Sequence, residues 1–465
     1  MKVIQTGVSF QTNDVQLQQI VTLAEAKLKN NLRDFGGRKV LVEGGGYNKI
    51  WLETQPMGGE MYAKRDMEAA KNNQLLFMEH QRGDGRLPGS IMEEDGRVIP
   101  QFNKFQGFCF PGPALNMYYW LGKDREYLHL LKNTLEGFDR YLWAARDSNG
   151  DGLLESWCIT DTGEDGAVRY GDAPFWWEEE TPPRDSATVP MASMDFMSFS
   201  FTARETLANI SKILDDDREL YWRDKASDVR RKIRECLWDH ARGACFDRDK
   251  GGRVINVLLH NNLRCMYWNS FYPDMAERFV KEHLLNPEEF WTPFPLPSVA
   301  ANDPSFRNNP GNDWSGQPEG LTWQRAITAL ENYGYHWLIP VLGEKLFDTI
   351  QREKLFTQQY DPFTGKASGV KDGYGPTMLA VLEYLSRLHG IHLQGGELWW
   401  GIWGKRETEY EQRWGGHVFR LKCDGEHAEA SVDGKAVFTS RAGIQVVTDY
   451  QGNIIRKTSL EKGAI

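Results

Sequence analysis

The strongest constraint on what this chain can fold into is the way its helical segments are joined. From about residue 15 to 390, apolar residues recur at the three-to-four-residue spacing of amphipathic helices, without the strand-helix alternation that builds a doubly wound sheet. The spacing predicts helices over 15–32, 60–81, 113–121, 125–146, 194–214, 219–240, 257–270, 274–284, 321–333, 336–352 and 375–389. Some joints are tight, as in "LGKD" at 121–124 and "NYGYH" at 332–336, where a glycine ends one helix and the next starts at once. Others are long and rich in Trp, Pro, Gly and acids, at 41–59, 82–106, 147–193, 287–320 and 357–374. Long loops inside a compact domain usually carry function. Short joints at one end and long loops at the other describe helix pairs closed into a ring. The expected fold is therefore mainly α, an (α/α)6 toroid or barrel with its site where the long loops converge. No fixed-period repeat supports a solenoid.

From about Gly395 the texture changes. The stretch "HVFRLKCDGEHAEASVDGKAVFTSRAGIQVVTDYQGNIIRK" alternates apolar and polar residues, with turn signals at Asp424-Gly425, Asp433-Gly434 and Gln451-Gly452. It predicts a small antiparallel β appendage of roughly four strands, at the usual strand length. The expected division is a catalytic domain over 1–394 and an appendage over 395–465 that packs against it.

Aromatic composition points to the ligand. The chain holds 17 Trp, 17 Tyr and 23 Phe, yet its mean hydropathy is negative. Many of the Trp sit beside acids and glycines, as in "IWLETQP", "APFWWEEE", "NDWSGQPEG" and "ELWWGIWG". Flat rings stack on the C–H faces of sugars while planar polar groups bind their hydroxyls; about half of these Trp are expected in the core instead. The formal net charge of −10 argues against nucleic acid and anionic lipid, which need a basic face. There is no secretory h-region at the N-terminus and no apolar run of about 20 residues. The expected partner is thus a small carbohydrate, with no membrane and a cytoplasmic location; the oligomeric state is not legible. Cys109, Cys158, Cys236, Cys245, Cys265 and Cys423 form no CxxC pair and read as reduced thiols, mostly core. The histidines show no HxxxH or HxH, and GxSxG, GxxxxGK and a strand-borne GxGxxG are all missing, so no metal or cofactor is expected.

"DSNGDGLLESWCITDTGEDG", from Asp147 to Gly166, has the look of a calcium loop. Asp147, Asn149, Asp151 and Gly152 match the early positions of an EF-hand, but position twelve, which needs a bidentate Glu, is Cys158. The segment reads better as an Asx-and-Gly turn that ends a helix at Arg146 and aims the acids from Glu155 to Asp165.

The same stretch resembles one in glycoside hydrolase family 63 and its mannosylglycerate-hydrolase-like group, where "DGDGL", then "ESG", then an acidic motif carries the general acid. Four further segments resemble that group in the same order: "LLFMEHQRGDGRLPGSI", "FQGFCFPGPALNMYYWLGKDREYL", "NDWSGQPEGLTWQRAITALENYGY" and "QQYDPFTGKASGVKDGYGPTMLAVL". The resemblance spans roughly residues 50–390. It implies an (α/α)6 barrel and hydrolysis of a small α-linked glycoside, α-glucosidic or α-mannosidic, with inversion. Inversion needs one carboxylic acid for the leaving oxygen and a carboxylate roughly 6.5–9.5 Å away to activate water.

By this resemblance Asp161 is the expected general acid, with Asp165 as fallback. The group's base, the Glu that opens "EYYDP", falls on Gln358, and an amide cannot take a proton at neutral pH. Glu319 is the best substitute, followed by Asp313, Glu53 and Asp372. Expected substrate contacts are Trp51 and Glu53, Trp157, then Trp176, Trp177 and Glu178, with Asp313, Trp314 and Gln317 and with Gln358, Tyr360 and Tyr374. Arg184 and Arg65 are candidates for a carboxylate on the aglycone. Gln358 also leaves open an isomerase, a lyase, a glycosidase with a relocated base, or a non-catalytic sugar-binding protein.

Overall fold

Local capping chemistry starts the helices where the periodicity places them. In the computed structural model, which describes residues 4–105, 110–369 and 371–462, Asp14, Asp124 and Ser193 each accept backbone N–H groups from the first turn that follows them. Cys109 lies outside the described residues. Twelve α-helices occur among those described: α1 Val15–Lys29, α2 Gln55–Tyr62, α3 Met67–Glu79, α4 Pro111–Trp120, α5 Arg125–Ala145, α6 Met194–Leu214, α7 Glu219–Lys232, α8 Asn261–Tyr267, α9 Pro273–Phe279, α10 Gly320–Asn332, α11 Leu338–Glu353 and α12 Gly375–His389.

Four expected helices differ, the one over 274–284 by leaving α geometry at Val280 for a π turn that ends at Leu284. The one over 60–81 is two helices, because Asp66 is extended (φ −147°) and its side chain caps α3 by accepting the Ala69 N–H at 3.1 Å. The one over 219–240 leaves α geometry at Ile233 for a π turn that ends at Leu237. The one over 257–270 shrinks to α8, whose N-cap is His260.

The helices sort into two layers. α2 packs on α4, α4 on α6, α6 on α8, α8 on α10, α10 on α12, and α12 back on α2. Helices inside such a circuit are covered on every side and have no polar face to spare. Accordingly α2, α8 and α12 are buried at every position. The helices between them bury one stripe only; in α5 the stripe includes Tyr127, Leu128, Leu131, Leu135, Phe138 and Leu142. The helical part is thus a toroid of inner and outer helices. No helix among the described residues is long and apolar enough to cross a membrane.

The β region exceeds the four strands expected. Strand β1 (Thr6–Thr12) comes from the N-terminus, and β2 Ile391–Gln394, β3 Glu397–Ile402, β4 Glu407–Trp414, β5 His417–Asp424, β6 His427–Val432, β7 Lys435–Arg441, β8 Ile444–Thr448 and β9 Ile454–Ser459 follow α12. They form two antiparallel sheets, ordered β1-β4-β5-β6-β7 and β2-β3-β8-β9. β1 runs in register along β4, with Thr6 opposite Trp414 and Thr12 opposite Thr408. That pairing was not legible because its partners lie about 400 residues apart in sequence. The sheets close one end of the ring. The Asn116 side chain in α4 donates to the Leu393 carbonyl at 3.0 Å and accepts the Gly395 N–H at 2.9 Å, and Gln412 reaches the Lys64 carbonyl at 3.0 Å.

Candidate active site

At the opposite end of the ring, a cavity of about 190 Å³ is lined by Glu43, Tyr47, Trp51 and Glu53, by Lys104, by Thr160, Gly163, Asp165 and Phe175, by Asn312, Trp314 and Leu321, and by Gln358 and Tyr374. Apart from Leu321 in the first turn of α10, each belongs to a segment that leads into an inner helix: α2, α4, α6, α10 or α12. All five long loops of the sequence contribute. The volume lies below the roughly 300–1,000 Å³ of sites for drug-sized ligands and suits one sugar ring.

Three carboxyl groups line the cavity, those of Glu43, Glu53 and Asp165, and their environments differ. Glu53 accepts a hydrogen bond from Arg325 at 3.0 Å, and Arg264 stands 3.9 Å away. Burial raises its pKa to about 7 against the pull of those arginines. Asp165 has no ion pair within 4 Å among the described residues; it accepts from Asn312 Nδ2 at 2.7 Å. Burial holds it above the usual carboxylate range, while Asn312 and Lys104 draw it down. Glu43 accepts the Tyr374 hydroxyl at 2.9 Å and has no ion pair within 4 Å among the described residues. Burial and then the charge of Glu53 push it up to about 8.

One wall is a continuous amide and phenol network. Asn312 donates to Asp165, Gln358 Nε2 donates to Asn312 Oδ1 at 2.9 Å, and the Tyr47 hydroxyl donates to Gln358 Oε1 at 3.2 Å. Trp51 also lines the cavity, with the Lys104 ammonium 4.4 Å from its ring centroid. Gly163 lets the Asp165 loop cross this floor. Its φ is +69°, and a Cβ there would fall 1.7 Å from Glu53 Oε2, so no other residue fits.

Beneath the loop is a buried charge cluster. Arg169 donates to Asp247 at 2.7 Å and to Asp195 at 2.6 Å, and it also pairs with Glu164, the neighbour of Asp165. Glu164 further meets His260 Nε2 at 3.0 Å and accepts from Asn261 at 3.1 Å. Burial lowers the His260 pKa to about 4, so the ring is neutral: Nε2–H donates to Glu164, and Nδ1 accepts from the Thr322 hydroxyl at 3.0 Å.

The structure brings Asp165, Trp51, Glu53, Trp314, Gln358 and Tyr374 to the cavity; the other expected residues lie elsewhere. Asp161 is fully buried outside the lining, bound by Arg146 at 2.5 Å and by the Trp157 N–H at 2.7 Å. The general acid expected at Asp161 is therefore not among the residues that line the cavity. Trp157 is core, with Arg146 stacked 4.1 Å from its ring centroid. Asp161→Asn is expected to destabilise the fold by about 3–5 kcal/mol, since it leaves Arg146 buried without a counter-charge, while folded enzyme keeps its turnover. Thermal unfolding alongside activity per folded molecule checks this.

Glu319 is the buried N-cap residue of α10 and is not part of the lining. Neither of its carboxyl oxygens has a hydrogen-bond partner among the described residues, and burial raises its pKa well above the usual range. Asp313 is tied to Asn309 and Arg307, Gln317 to Asn308, and the Tyr360 hydroxyl to the Leu355 carbonyl. Trp177 donates to the Thr181 carbonyl, while Trp176, Glu178 and Arg184 are exposed beyond the lining. Arg65 pairs with Glu25, and Asp372 with Lys27. The Asp147 segment is a turn closed on itself: Asp147 Oδ1 accepts the Gly152 N–H and Asn149 Oδ1 the Asp151 N–H, each at 3.0 Å.

Glu43, Tyr47, Lys104 and Asn312 escaped the sequence reading. "LVEGGGYNK" signals only a turn, and nothing local to it announces Tyr374 as a partner.

A helical toroid that gathers carboxyls and Trp faces in a sugar-sized hollow at one mouth has the makings of a glycoside hydrolase. Residues 61–376 match the mannosylglycerate hydrolase MGH1-like glycoside hydrolase domain, and the chain belongs to that family. None of the curated proteins matches it in sequence. Among solved structures, the glycoside hydrolase family 63 mannosylglycerate hydrolase from Thermus thermophilus in complex with glucose aligns with a TM-score of 0.65 at 20% identity, over 79% of this chain and 100% of that one. Neutral trehalase from Saccharomyces cerevisiae aligns with a TM-score of 0.56 at 14% identity, over 75% of this chain and 74% of that one. A rhamnosidase from Klebsiella oxytoca with rhamnose bound gives 0.53 at 13% identity, over 81% and 64%. At these identities the likeness concerns the fold.

Proposed function

We propose that this glycoside hydrolase removes a single terminal sugar from a small α-linked glucoside or mannoside with inversion, and that Asp165 is its general acid. The observation that carries the reading is the Asp165 carboxyl itself, which lines a cavity for one sugar ring, is held above its ordinary pKa by burial, and is bound by an amide rather than an arginine. A carboxyl in that state can hold a proton and release it to a leaving oxygen. Trp51 and Trp314 would flank the ring and the Arg325-bound Glu53 would accept its hydroxyls. Glucose in the Thermus thermophilus structure and the trehalase among the neighbours favour the α-glucoside, and mannosylglycerate hydrolase as a name favours the α-mannoside.

In the same reading the twelve helices are an (α/α)6 barrel, residues 1–394 carry catalysis apart from β1, and 395–465 pack against them. The free cysteines Cys158, Cys236, Cys245, Cys265 and Cys423 suit a reducing, cytoplasmic setting. The deciding experiment is proton NMR of the first product from α-glucosides and α-mannosides. Inversion releases the β-anomer before mutarotation; release of the α-anomer would overturn the mechanism.

A further inference from the structure

Water must lose a proton somewhere in this cavity, and the position that resembles the group's base is an amide. We infer that Glu43 is the catalytic base, the carboxylate that takes the proton from the attacking water. The inference rests on the glycosidase reading with Asp165 as acid.

Elimination among the lining carboxyls leads there first. Glu53 is engaged by Arg325 and overlain by the Gly163 turn, and Glu319 is not part of the lining. Gln358 faces the cavity but spends its amide on Asn312 and Tyr47. Glu43 alone remains beside Asp165. Its Oε1 takes the Tyr374 hydroxyl, which leaves Oε2 for a water.

The position of that carboxyl is also built. The Gly375 N–H donates to the Glu43 carbonyl at 2.7 Å and the Gly45 N–H to the Gly373 carbonyl at 3.1 Å, so the turn after Glu43 is strapped to the start of α12. At Gly44 φ is +80°, and a Cβ would lie 2.0 Å from Asn31 Nδ2 and 2.4 Å from the Gly373 carbonyl oxygen. Only glycine permits so close an approach. A loop of no structural importance would not need this fit. Asp165 lies at one end of the wall network, which runs through Asn312 and Gln358 to Tyr47, and both carboxyls line the same cavity.

The step balances as follows. The water oxygen bonds to C1 as one of its protons passes to Glu43 Oε2; the C1–O bond breaks, and its electron pair takes the proton of Asp165. Solvent then returns a proton from Glu43 to Asp165. The groups that face Glu43 are Glu53 and Asp165, which raise its pKa, and Tyr374 and Arg325, which lower it. Burial and then the charge of Glu53 push Glu43 up to about 8, and Asp165 raises it further, so the two carboxyls titrate as a pair.

Glycosyl fluorides test this, because fluoride leaves without an acid but water still needs a base. Wild type, Glu43→Gln and Glu43→Ala are compared on α-D-glucosyl and α-D-mannosyl fluoride, with thermal unfolding of each variant. Glu43→Gln is expected to lose about 10²–10⁴-fold in kcat on the accepted fluoride. Azide, which needs no base, is expected to restore turnover in Glu43→Ala and to give the β-glycosyl azide. A Glu43→Gln enzyme within tenfold of wild type, or no azide effect in a folded Glu43→Ala, would overturn the assignment. Should both variants fail to fold, Tyr374→Phe decides: loss of its hydrogen bond raises the Glu43 pKa and moves the acidic limb of kcat/KM to higher pH, and an unmoved limb rejects Glu43. A wild type inert on fluorides and glycosides alike defeats the glycosidase reading itself, and this inference with it.

Discussion

Asp165→Asn is expected to lower kcat/KM on an alkyl α-glycoside by about 10²–10⁴-fold, the usual worth of a positioned general acid. The loss should shrink sharply on a dinitrophenyl glycoside, whose phenolate leaves without protonation. The substitution is nearly isosteric, and the new side chain keeps an amide oxygen that can accept from Asn312 Nδ2, so the fold should be spared. The pH profile supplies the sign. A general acid must be protonated, so in wild type its ionisation produces the alkaline fall in kcat/KM; on the activated substrate Asp165→Asn should lose that limb and keep the acidic one. An equal loss on both substrates would show that Asp165 binds sugar and donates no proton. Asp161→Asn is the control four residues away, with its effect on stability rather than on leaving-group dependence.

That contrast shows where sequence stops being informative. The acidic segment was legible as a loop that reaches the cavity, but which of its acids does so was not: Asp161 and Asp165 differ in whether Arg146 lies beneath them, and the reach of Arg146 from the end of α5 has no local signature. Helix periodicity located the ring because covering an inner helix leaves a pattern in every turn. It merged α2 with α3 because the cap at Asp66 follows Ala63-Lys64-Arg65, which contains no glycine or proline. Trp beside acids marked Trp51 and Trp314, which reach the cavity, yet the same signal at Trp157 marks a buried stack on Arg146. Proximity to an acid reports a polar partner, and the partner can be solvent, sugar or core. Glu43 was invisible for a related reason: its value lies in Tyr374, Glu53 and Asp165, which come together only when the ring closes.

The largest effect on stability is expected at Arg169. Arg169→Met leaves Asp195, Asp247 and Glu164 facing one another without the cation that all three contact. Breaking a single buried pair costs about 3–5 kcal/mol, and total stability for a domain is about 5–15 kcal/mol. Removing a guanidinium shared by three carboxylates should therefore leave little soluble protein, and urea unfolding of what remains should show a loss above 5 kcal/mol, on the order of the cost of more than one such pair. Adding Asp195→Asn and Asp247→Asn should recover part of it, because neutral neighbours need no counter-charge; no recovery would mean that Arg169 acts through packing. Wild-type stability should follow pH in the same terms. Arg169 and Arg264 hold Glu164 far below its ordinary range despite burial, so its pairing contributes fully above the ordinary carboxylate pKa and is lost as pH falls toward the depressed value. Asp247, raised by burial to about 6, works in the opposite direction, losing stability as pH rises from its ordinary value through 6. Glu164 adjoins Asp165, so acid should loosen the Asp165 loop before the outer helices, and near-ultraviolet circular dichroism should change at a higher pH than the far-ultraviolet signal.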